Sequence, residues 1–346
     1  MRSSDFTVAL QKPFIEMTHL LKTNSILLLL LLAIVAPSFA QFRNLALDNR
    51  QSILNERAFL SFPAAAKNVM RPVDIMEANP SEDTETRIVM DIDSMRIVFF
   101  ARERYERSGR QFLEAVREKD QADFKVTRLK QTDSLDVLLE TPLTYDSTES
   151  AIAIGRLLIK AADNTLFDIT AYINPPAFRF KNDFQELATN IFQTITVGKR
   201  RLALQKRAEA VTAYDKKKQL IFALPADYVI SKTVSYDFDV IRIEKVRDLS
   251  DTTWSGITIY SGGYPSYFYP DYEFKTKDAQ KIKGKFLDQS FEWLAFYKSN
   301  PPVFLREVQL PGDAIQQNLV LHLALLANTR EGMEEQLKII EAVQLR

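Results

Sequence analysis

The order of apolar and polar positions reads in each half as a strand hairpin, a long mixed middle, a strand, a helix and a closing strand. RIVMD at 87–91 and MRIVFFA at 95–101 are two β-rich runs, with Asp91, Ile92, Asp93 and Ser94 between them as turn residues. That spacing predicts a hairpin. DITAYI at 168–173, LIFAL at 220–224, 256–260 and NLVLHLALL at 318–326 read as further strands. Amphipathic spacing predicts helices over 183–195 and 331–342, each followed by a short apolar segment, Val197 in one case and 343–345 in the other. Residues 42–67 carry Leu45, Leu47, Ile53, Leu54 and Phe59 at helix-like intervals until Pro63 and AAAK end the pattern, so 41–69 reads as a lead-in segment. Residues 77–86, polar with Pro80, read as a loop.

These elements recur. A shift of 124 residues places Asp91 on Asp215, Ile97 on Ile221, Val98 on Phe222 and Phe100 on Leu224. A shift of 148 places Phe192 on Ile340, Ile195 on Val343 and Val197 on Leu345. Two matches in one order predict a tandem arrangement. The chain divides into a first α+β domain at 70–198 and a second at 199–346. The expected fold class is α+β, two antiparallel-sheet domains with packed helices. The junction GKRRLALQKRAEA, 198–210, is basic but has no aromatics for base stacking, and reads as a solvated connector. The larger second shift means that the second half holds an insertion.

Composition adds a compartment. Residues 26–35, ILLLLLLAIV, follow Lys22 and precede Pro37-Ser38-Phe39-Ala40, the order of a secretory signal cleaved after Ala40, with Met1 or Met17 as its start. The alternative is an uncleaved anchor, although the apolar run is short for a bilayer. The expected localisation is periplasmic or secreted, with no membrane span after cleavage. Lys+Arg and Asp+Glu number 45 each. Removing Arg2, Lys12 and Lys22 together with Asp5 and Glu16 leaves the remainder one charge negative, which points away from nucleic acid. Cysteine is absent, which excludes disulfides, thiolate catalysis and a lipid-modified N-terminal cysteine.

In the second half, LIFALPADY at 220–228 is an apolar strand ended by Leu-Pro, and LVLHLALLANTREGMEEQLKIIEAVQL at 319–345 sets strand, loop and helix on a C-terminal strand. Together they resemble the PsbP-like fold, found in an extrinsic photosystem II subunit, a nuclear Ran-binding protein and bacterial exported proteins. The resemblance covers 205–346. In the first half Ala101-Arg102 stands where the Leu-Pro turn would be. The resemblance implies a binding or assembly module rather than an enzyme.

Candidate chemistry is sparse. Of the two histidines, His19 would leave with the signal and His322 sits in an alternating strand, where a hydrogen-bonded structural role outweighs a general base. Ser–His or Cys–His catalysis lacks material. Asp91 with Asp93, Asp237 with Asp239, and Asp271 with Glu273 are i, i+2 carboxylate pairs, better explained by turns and solvated faces than by calcium or acid–base work. No catalytic residue, metal ligand or cofactor is assigned, and Gly262-Gly263 lacks a phosphate-loop continuation. The stretch SGGYPSYFYPDYEF at 261–274 stands apart. Tyr260, Tyr264, Tyr267, Phe268, Tyr269 and Tyr272 are the candidate binding residues, and Pro265 and Pro270 forbid regular pairing. The loop is expected to project and to take an unknown protein or a carbohydrate of the envelope. The competing reading is a lid filling the edge of a core. A carboxylate-based hydrolase acting on envelope sugars is the alternative function, and it requires two acids converging in a deep cleft.

Overall fold

The computed structural model describes residues 45–69, 85–107, 123–146, 148–213, 217–234, 237–263, 265–312 and 319–346. The signal-like segment and Tyr264 lie outside them.

In the first half the strands are β1 (Asn49–Ile53), β2 (Ala58–Phe62), β3 (Lys67–Asn68), β4 (Glu85–Ile92), β5 (Met95–Arg107), β6 (Phe124–Thr132), β7 (Leu135–Pro142), β8 (Ile152–Ala161) and β9 (Thr165–Ile173). Helix α1 (Lys181–Gln193) and β10 (Thr196–Val197) follow. The second half continues with β11 (Arg207–Thr212), β12 (Gln219–Leu224), β13 (Tyr228–Val234), β14 (Phe238–Lys245), β15 (Arg247–Asp248), β16 (Ser255–Gly262), β17 (Gln280–Phe286), β18 (Gln289–Ser299), β19 (Pro302–Pro311) and β20 (Val320–Ala327). Helix α2 (Arg330–Glu341) and β21 (Gln344–Leu345) end it.

The expected α+β class is therefore corrected. The chain is predominantly antiparallel β, with two α-helices among the described residues. The overestimate came from weighting two amphipathic helices as layers, when each is one element on a sheet of seven or eight strands. The α+β domain that the PsbP-like resemblance implied for 205–346 is corrected on the same ground.

Two large sheets run β3-β4-β5-β9-β8-β7-β6 and β13-β14-β16-β20-β19-β18-β17, and two small ones β1-β2-β10 and β11-β12-β21. Counted in chain order within each large sheet, both have the same sequence of neighbours: the third strand pairs with the seventh, and the rest fold back outward. The 124-residue shift, however, superposes unlike hairpins. Residues 87–101 belong to β4–β5 of a large sheet, whereas 211–224 belong to β11–β12 of a small one. The counterpart of β11–β12 in sheet order is β1–β2, inside the segment read as a lead-in. Its helix-like intervals were misleading, because Ala58, Leu60 and Phe62 alternate inward at period two.

Among the described residues each half has one main core, and Leu138, Leu158 and Leu166 form a small third cluster. In the first, Ile97 and Phe99 of β5 and Phe167 and Ile169 of β9 pack with Phe184, Ile191 and Phe192 of α1 and with Leu60 and Phe62 of β2. Phe62, Phe99 and Phe192 meet edge to face at 5.1 and 5.6 Å. In the second, Ile257, Trp293, Val308 and Leu323 pack with Met333, Ile339 and Ile340 of α2 and with Leu220 and Phe222 of β12. Helix and small sheet thus cover one face of each large sheet. Among the described residues no helix is long and apolar enough to cross a membrane.

The halves meet at the end of β5. β15 pairs parallel with β5, and Leu249 N–H donates to the Arg107 carbonyl at 2.8 Å. Arg247 bonds Glu106 at 3.0 Å, and Arg107 ion-pairs with Asp227. Close by, fully buried Arg57 pairs with Glu103 at 2.8 Å and with Asp163 at 2.6 Å. Burial pushes Glu103 up to about 7, against the pull of Arg57 and Arg200.

Candidate functional site: the aromatic shelf

β16 and β20 are neighbours, with Tyr260 opposite His322, and Gln309 and Glu307 of β19 oppose His322 and Ala324. Leu321, Leu323 and Leu325 alternate with these positions and point at α2, so Tyr260, His322, Glu307 and Gln309 share the face that the helix does not cover. Segment 265–279 crosses that face. It was expected to project, and instead it folds back. The reason lies beneath it in Glu307, which is 0% exposed. Its two carboxylate oxygens accept the backbone N–H groups of Phe268 and Tyr269, both at 2.9 Å. Those donors open the 3-10 turn Tyr269–Tyr272, where Pro270 sits with no N–H to satisfy. Glu307 Oε2 also lies 3.1 Å from His322 Nε2. Gln309 donates to the Pro265 carbonyl at 3.0 Å and Lys298 to the Tyr272 carbonyl at 3.3 Å.

Ring packing completes the attachment. Phe268 stacks on His322 at 5.4 Å, and Tyr267 meets the same imidazole edge-on at 5.5 Å. Tyr269 and Phe274 stack against Phe296 at 5.3 and 5.1 Å, and Phe238 stacks on Tyr260 at 5.2 Å. At the exit of β16 a Cβ on Gly262 would fall 2.5 Å from the Phe238 Cβ, so only glycine admits this close approach. Glu273 takes a left-handed φ of 64° to end the turn.

Five of the six candidate residues fall among the described residues, and Tyr264 does not. Tyr260, Tyr267, Phe268, Tyr269 and Tyr272 are each half-buried. Burial, reinforced by the Glu307 charge, raises the Tyr267 hydroxyl above its usual range. The sequence reading missed Glu307, Phe296 and Phe274. Glu307 carried a signal, an acid inside the apolar strand PVFLREVQLP, where a carboxylate on a packed face needs partners.

The carboxylate pairs do not converge. Asp91 is exposed and held low by Arg96 through a side-chain hydrogen bond, with Asp93 in the left-handed turn beside it. Asp239 is buried against Lys232 at 2.5 Å while Asp237 is exposed. Asp271 and Glu273 are both exposed. Among the described residues no cluster of three or more His, Cys, Asp or Glu side chains could hold a metal ion.

No family model matches the sequence, and no curated protein matches it. A chain of the crystal structure of the Tle4-Tli4 complex is similar at 11% identity over 85% of this chain and 96% of that one, with a TM-score of 0.22. At that score the likeness assigns neither fold nor partner.

Proposed function

We propose that this chain is an exported, non-catalytic binding module of the cell envelope, and that it recognises a protein partner through the aromatic shelf. The observation that carries the reading is the combination of rigid backbone and half-exposed rings on 267–272. A loop anchored by a buried carboxylate has already lost its conformational freedom, so docking onto it costs little ordering entropy. Tyrosine adds broad contact area with a polar tip. The non-catalytic part rests on Glu307 and His322. They form an acid–histidine pair, but they are 0% and 2% exposed and are fully engaged in holding the shelf down. Export rests on the signal-like order of residues 22–41.

The test targets Tyr272, a half-exposed ring with no ring stack or side-chain hydrogen bond among the described residues. Tyr272→Ala removes such a ring, since Tyr272 anchors the loop through its backbone carbonyl. A photo-crosslinker placed at Tyr272 should capture one protein in the native envelope, and Tyr272→Ala should weaken its binding by about tenfold, the loss of about 1.4 kcal/mol. No specific crosslink at Tyr272, or undiminished binding by the variant, rejects the reading.

A further inference from the structure

A groove of about 620 Å³ opens between the first turns of α2 and the ends of β17, β18 and β19. It lies beside the first turn of α2, which contributes Arg330, Met333 and Glu334. Its apolar wall is Ile282, Tyr297, Phe304 and Met333. Tyr297 is 59% exposed and tilts against Phe304 with centroids 4.6 Å apart. Arg306 and Arg330 complete the wall. Among the described residues neither guanidinium has a carboxylate within 4.0 Å.

Both cations are placed at a cost, which nearby acids offset in part at Arg306. Arg330 is the first residue of α2, where the macrodipole disfavours positive charge. Arg306 is half-buried, and burial pulls its pKa below the usual guanidinium range, although Glu341 and Glu334 oppose the shift. Two unpaired guanidiniums beside an exposed aromatic pair call for an anion attached to an apolar group. Asp278 and Glu334 also line the groove and would repel a bare anion. A peptide answers both demands, because its side-chain carboxylate can reach the arginines while its backbone N–H groups face the acids.

We propose that this groove binds a peptide segment of a partner protein in which an acidic residue adjoins a large apolar one. The carboxylate bridges Arg306 and Arg330, and the apolar side chain lies on Tyr297 and Phe304. The groove shares Phe296 and Asp278 with the surroundings of the aromatic shelf, but none of the shelf's proposed binding rings lines it.

The probe is the peptide N-acetyl-Gly-Asp-Phe-Gly-amide, titrated against the protein while the Met333 methyl resonance is followed by NMR. The expected result is a saturable shift. Replacing Asp by Asn in the peptide, or making Arg306→Gln or Arg330→Gln in the protein, should each raise Kd about tenfold. Tyr272→Ala should leave this Kd unchanged, so failure here and failure of the shelf reading are distinguishable. Thermal unfolding of each variant must match the parent; Arg330→Gln, at an exposed position, keeps the test available if Arg306→Gln alters folding. No saturable shift up to about 10 mM peptide, equal binding of the Asn peptide, or tighter binding of 3-phenylpropionate than of the peptide overturns the proposal.

Discussion

Single residues set the character of this protein where they sit in faces that should be apolar. Glu307 is the clearest case: one buried carboxylate turns a two-proline loop into a fixed surface. Glu307→Ala leaves two loop N–H groups and His322 without their acceptor. It should cost about 3 kcal/mol in chemical denaturation and open 265–274 to protease. Gly284 is a second case. A Cβ there would meet the Trp293 indole at 2.2 Å, and Trp293 is 0% exposed. Gly284→Ala should therefore destabilise by about 1–3 kcal/mol and shift the tryptophan emission, because the ring must move. Glu103 gives a pH signature. Its folded value of about 7 lies above the ordinary 4.5, so the folded state holds the proton more tightly. The stabilising contribution is complete below pH 4.5 and is lost as pH rises through about 7. The loss is about 3 kcal/mol by linkage. Glu103→Gln should flatten that slope when unfolding free energy is measured from pH 4.5 to 7.5.

At the scale of elements, the outermost strands of both large sheets show how the fold avoids pairing with other chains. β17 exposes Lys281, Lys283 and Lys285, and β6 exposes Lys125 and Arg128. Charged side chains on an open edge oppose strand addition. Replacing the three β17 lysines by threonine should produce dimers or larger species in size-exclusion chromatography with light scattering. Local pattern made much of this level legible. The hairpin at 87–101 and both amphipathic helices lie where periodicity placed them, because period and burial agree there. β1 and β2 were not legible, since Leu54 is fully buried in a left-handed turn rather than on a helix face. The fold-back of 265–279 was not legible either. Prolines and glycines forecast a break in the strand, but the carboxylate that pins the loop lies far along the chain at Glu307. The Arg57–Glu103–Asp163 network joins three separate turns and strands, and no spacing announces it.

For the whole molecule, the question is how far two similarly ordered halves act as one. The contacts between them are largely polar: Arg107 with Asp227, Arg247 with Glu106, Tyr105 with Ser231 and the short β15–β5 pairing, with Leu249 packing on the small cluster of Leu138, Leu158 and Leu166. Interfaces of this kind permit relative motion and separate unfolding. Arg247→Ala combined with Asp227→Asn should split calorimetric unfolding into two transitions while each half keeps its own core.

The strand order also governs how such a chain comes together. In both large sheets the central seam joins the third strand to the seventh, Ile97 with Ile173 and Ile257 with Leu325. The innermost edge of β5 or β16 must therefore wait, apolar and unpaired, until the outer strands have been laid down and the chain has returned. Non-local closure of this sort slows folding and lengthens the time that a sticky edge is open. A chain interrupted just before β9 or β20 lacks the strand that seals its middle, so incomplete chains should be strong clients for whatever holds unfolded protein in the cell.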